Sequence, residues 1–178
     1  VGDDHKAELS HPAFNKLFIE SEFLEEPSIF LSKRRGNSKE ENFYIFHMVK
    51  TSKELLKNLE YENDRYKFIG RNNTKENPEA VVKSLPLSNH AGFCNDPIMS
   101  LRIDISLKQS ETACVSFITG ICHSKEEAVK ISDEFNIPYG IDDTIEKFRL
   151  QSDIELKYLE IKKPQLNAFQ DIISPIYY

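Results

Sequence analysis

Along roughly the first 120 residues, apolar positions alternate with polar ones instead of recurring every three or four, the signature of strands. The clearest alternation spans residues 99–108, with Met99, Leu101, Ile103, Ile105 and Leu107 on one side and Ser100, Arg102, Asp104, Ser106 and Lys108 on the other. That pattern predicts a half-buried antiparallel strand with one wet face. Lys108-Gln109-Ser110-Glu111 is a polar turn, and residues 112–121 return as a more buried strand, so a hairpin is expected here. Residues 16–24 and 29–33 flank Glu25-Glu26-Pro27, where proline blocks continued pairing. Residues 43–50 are aromatic and β-branched, which suits a pleated surface. Polar loops are expected at 36–42 and 72–77, then a short helix over 78–83 with Asn77 as cap and Pro78 at its first position.

After Cys122 the period changes. Ser124-Lys125-Glu126-Glu127 is a capping box, followed at helical spacing by Ala128, Ile131 and Phe135 and ended by Asn136 and Pro138. A second helix is expected over 142–160, with Ile145, Phe148, Leu156 and Leu159 in its stripe. Pro164 opens a third, carrying Leu166, Phe169 and Ile173. The order predicts a mainly β protein, an antiparallel β-sandwich over residues 1–122 and a helical linker segment over 123–178.

Composition narrows the function more than the fold. At 178 residues the chain fits one domain, with or without an appendage. A net charge of −6 argues against a nucleic-acid partner, because phosphate contacts need clustered cations. No apolar run is long enough for a membrane span, and the polar, acidic start is unlike a signal peptide. Cys94, Cys114 and Cys122 match no zinc or redox motif, so reduced, buried thiols and a cytoplasmic location are expected. A start without methionine and an apolar end, Ile172-Ile173-Ser174-Pro175-Ile176, together suggest a segment of a longer protein.

Few residues offer chemistry. Glu20 and Glu22 share one strand face about 6–7 Å apart, a spacing that suits a glycosidase acid–base pair but equally a solvated face, the plainer reading. Asp64 and Arg65 could hydrogen-bond vicinal sugar hydroxyls, with Tyr66 and Arg71 beside them. The same segment could instead form an ion pair or cap a helical turn that Gly70 ends. Asp96-Pro97 is a turn starter, and Lys33-Arg34-Arg35 a solvated strand end or an anion contact. His5, His11, His47, His90 and His123 form no metal pattern, so neither metal nor cofactor is expected. There is no Gly-x-Ser-x-Gly elbow and no glycine-rich phosphate loop. With no tryptophan, Tyr44, Tyr61 or Tyr66 would have to serve as a sugar platform.

Several segments, taken in order, resemble glycoside hydrolase family 94 (formerly glycosyltransferase 36). They are His11-Pro12-Ala13-Phe14, Leu17-Phe18-Ile19-Glu20-Ser21-Glu22, Lys33-Arg34-Arg35, and Glu60-Tyr61-Glu62-Asn63-Asp64-Arg65-Tyr66-Lys67-Phe68-Ile69-Gly70-Arg71. Leu87-Ser88, Gly92, Asp96-Pro97-Ile98-Met99-Ser100-Leu101-Arg102 and Ser124-Lys125-Glu126-Glu127-Ala128 continue the series. The likeness is to the family's sandwich region, in the cyclic β-1,2-glucan synthase and 1,2-β-oligoglucan phosphorylase branch. Departures include Asn63 where threonine is usual and Cys94-Asn95 in place of an apolar pair. The resemblance implies a supersandwich that packs on a catalytic (α/α)6 barrel of the parent chain and shapes its active-site rim. That barrel carries the catalytic residues, so none is assigned here and the chain is not expected to be an enzyme by itself. The resemblance also implies a parent that acts on β-glucosides, attached to the inner membrane in some cases, and allows a homodimer. An apolar surface should then be exposed around Phe148, Leu159, Phe169 and Ile173. The alternative is a stand-alone β-glucan-binding module using Asp64, Arg65, Tyr66 and Arg71.

Overall fold

The computed structural model describes residues 16–35, 43–51, 57–136 and 140–177. Two compact units result, Val1–Asp133 and Glu134–Tyr178. In the first, strands β1 (Ile19–Leu24), β2 (Ile29–Arg34), β3 (Tyr44–Thr51) and β4 (Lys57–Asp64) lead into short helices α1 (Arg65–Ile69) and α2 (Glu79–Val82). Strands β5 (Gly92–Phe93), β6 (Pro97–Asp104) and β7 (Val115–Cys122) and helix α3 (Lys125–Glu134) follow. The second unit contains α4 (Gly140–Tyr158) and α5 (Lys163–Tyr177).

The strands form two antiparallel sheets, a large one in the order β5-β1-β2-β3-β7 and a small one of β4 and β6. The core lies on β2, whose Ile29, Phe30 and Leu31 are almost completely buried because both faces of the large sheet are covered there. Register assigns the faces. Phe23 pairs with Phe30 and Phe30 with His47, so these share the side on which Tyr61 of β4 stacks against Phe23, with centroids 4.0 Å apart. Leu31, Phe46 and Gly120 line the opposite side, over which α3 lies. Ala128 and Ser132, one turn apart on α3, are both fully buried. Lys50 donates to Ser132 Oγ at 2.8 Å, and Lys125 is ion-paired with Glu22. Gly120 makes room for Phe46, since a Cβ there would stand 2.5 Å from the ring.

The mainly β class and the strands at 19–24, 29–34 and 44–51 agree with the alternation, but the expected hairpin does not form. β6 pairs with β4 in the small sheet, and β7 pairs along its whole length with β3 in the large one. Residues 105–114 cross between the layers, so the alternation at Ile105 and Leu107 runs past the strand end and both are exposed. β7 is also less buried than expected, with Phe117 and Ile121 more than half exposed. All three cysteines are free, but only Cys122 is buried; Cys94 is half-buried and Cys114 exposed, which corrects the expectation for those two. Burial pushes the Cys94 and Cys122 thiols up.

Helix ends follow local chemistry. Glu127 N–H donates to Ser124 Oγ at 3.1 Å, while the Glu127 carboxylate accepts from His123 N–H, one residue beyond the expected partner. α2 begins one residue late, with Pro78 as its cap. Among the described residues no helix is long and apolar enough to cross a membrane. The His11-Pro12-Ala13-Phe14 segment and the 36–42 loop lie outside the described residues.

Candidate functional site

The segment 64–71 turns from strand to helix, and its polar groups are largely occupied by that turn. Asp64 caps α1 by accepting from Tyr66 N–H at 2.9 Å, and Gly70, with φ of 80°, ends the helix. A side chain at Gly70 would collide with Glu79, so α1 and α2 pack closely there. Arg65 is drawn to Asp96: its N–H donates to the Asp96 carbonyl at 3.0 Å, and its Nε lies 3.6 Å from the carboxylate. Lys16 Nζ donates to the other carboxylate oxygen at 2.7 Å. Tyr66 and Arg71 stay on the surface, Tyr66 at 65% exposure. The four sugar-binding candidates therefore divide: Asp64 is a cap, Arg65 is tethered to Asp96, and Tyr66 and Arg71 are exposed.

The buried polar residues of this region precede Asp64, and the alternation gave no sign of them. β4 has few apolar or β-branched residues, so residues 57–64 carry a weak strand signal. Glu62 and Asn63 are nevertheless 2% and 0% exposed. Glu62 accepts from the N–H groups of Asn63 and Asp64 at 3.1 Å and of Ser88 at 3.2 Å. Asn63 Nδ2 donates to Ser21 Oγ at 3.0 Å and to the Gly92 carbonyl at 3.1 Å, and its Oδ1 faces His90 Nδ1. Glu60 pairs with Arg102 and accepts from Leu87 N–H, while Arg102 donates to the Leu85 carbonyl at 2.7 Å. These groups are saturated within the protein, and they bind β1, β4, β5, β6 and the 78–90 segment together.

The other candidates resolve in the same way. Glu20 pairs with Lys33 at 3.8 Å and Glu22 with Lys125, the solvated-face reading. Lys50 and Ser132 have the geometry of a base and nucleophile, and burial lowers the Lys50 pKa, but a fully buried Ser132 hydroxyl cannot meet a substrate. His47 Nδ1 lies 2.7 Å from Thr119 Oγ1, its ring stacks on Phe117 with centroids 5.9 Å apart, and burial lowers its pKa. Among the described residues no cluster of His, Cys, Asp and Glu could hold a metal. Two open cavities of about 570 and 590 Å³ follow β6 where it leaves the large sheet uncovered, and both are lined by Ile98 and Met99.

The family model described as glycosyl hydrolase 94, supersandwich domain, matches residues 1–138. The chain belongs to that family. It is also 24% identical over 165 residues to the cyclic beta-(1,2)-glucan synthase NdvB of Rhizobium meliloti (strain 1021). That alignment takes in 92% of this chain and 6% of the synthase, so the chain spans a small fraction of its relative's length. The glycosyl hydrolase 94 supersandwich is a non-catalytic domain. The engagement of Glu60 and Glu62 by neighbouring groups, and the ion-paired, solvated setting of Glu20 and Glu22, fit that character.

Proposed function

We propose that this supersandwich domain scaffolds the catalytic (α/α)6 barrel of a β-glucan phosphorylase or cyclic β-glucan synthase and forms part of the rim of its active site. The observation that carries the reading is the apolar surface of the second unit. On α4, Phe148, Ile154 and Tyr158 are 70%, 66% and 87% exposed, and on α5 Phe169 and Ile173 are 45% and 51% exposed. A helix packed in a globular domain turns such residues toward its core, so that many exposed at once support a surface covered by another body. The relative is a glucan synthase of which this chain spans 6%, which supports a further part of a longer enzyme as that body.

The alternative, a glucan-binding module, draws its support from Arg65 and Tyr66 at the surface. Calorimetric titration of the chain with β-1,2-gluco-oligosaccharides, with cellobiose alongside, separates the two. The scaffold reading expects no saturable heat at millimolar sugar. Saturable binding that disappears in Arg65→Ala or Tyr66→Ala would replace it with the module reading.

A further inference from the structure

We draw no further inference here: the strongest candidate, the apolar groove beside β6 lined by Ile98 and Met99 with Ile45 of β3 and Phe117 of β7, carries nothing, because Lys16, Lys33, Arg65 and Lys75 in its walls are each paired with a carboxylate of this chain and nothing in the structure shows what covers it.

Discussion

Asn63 is the residue on which the first unit's polar interior turns. Fully buried, it joins β1, β5 and His90 through one amide. Asn63→Ala leaves the Gly92 carbonyl and Ser21 short of a partner and should cost about 1–3 kcal/mol in urea unfolding. Asn63→Asp should cost more, because a carboxylate cannot donate to the Gly92 carbonyl and its charge would be buried. Asn63 supplies two donors, to Ser21 and the Gly92 carbonyl, where a hydroxyl would supply one. His47 offers a second test. Its folded pKa lies below the ordinary 6.5, mainly through burial, so as pH falls through 6.5 the unfolded chain takes up this proton before the folded protein does. Stability should therefore decline from about pH 7 downward, and His47→Gln should flatten that decline; an unchanged slope would show that His47 is not its source. Sequence spacing marked the 64–71 segment as special, and Asp64 and Gly70 do cap and end a helix. Glu62 and Asn63 escaped notice because polar residues in a strand suggest a wet face, whereas the 78–90 segment and the large sheet cover both faces of β4 there.

At the scale of elements, the close fit of β3 to β7 rests on a side chain that is absent. Gly120→Ala would drive a methyl into the Phe46 ring and should destabilise by about 1–3 kcal/mol, with Phe46→Leu in the same protein recovering part of the loss. Equal losses in the single and double variants would mean the cost arises elsewhere. Helix starts and the strongest strands were legible because they depend on neighbours in sequence: Ser124 and Glu127 sit within one turn, and β2 is apolar on both faces. The 99–121 hairpin failed because pairing is decided across the sheet. Alternation identifies which residues share a face of β6, but it cannot say that β4 and β3, both far earlier in the chain, are the partners of β6 and β7.

For the whole molecule, the expected apolar surface is present: Phe148, Leu159, Phe169 and Ile173 are 70%, 60%, 45% and 51% exposed. Helical periodicity made those residues visible as a stripe, because they recur at helical spacing. In isolation the chain should self-associate, and Phe148→Glu combined with Phe169→Glu should make it monomeric in sedimentation without lowering the unfolding midpoint of the first unit. A loss of that midpoint would instead assign these side chains to packing within the chain. The scaffold claim is tested most directly by light scattering after size-exclusion chromatography, with the chain mixed with the (α/α)6 barrel of a glycosyl hydrolase 94 β-glucan enzyme made without its sandwich. A one-to-one complex that the Phe148→Glu, Phe169→Glu variant fails to form is the predicted result; a barrel and a chain that elute separately at tens of micromolar would contradict it.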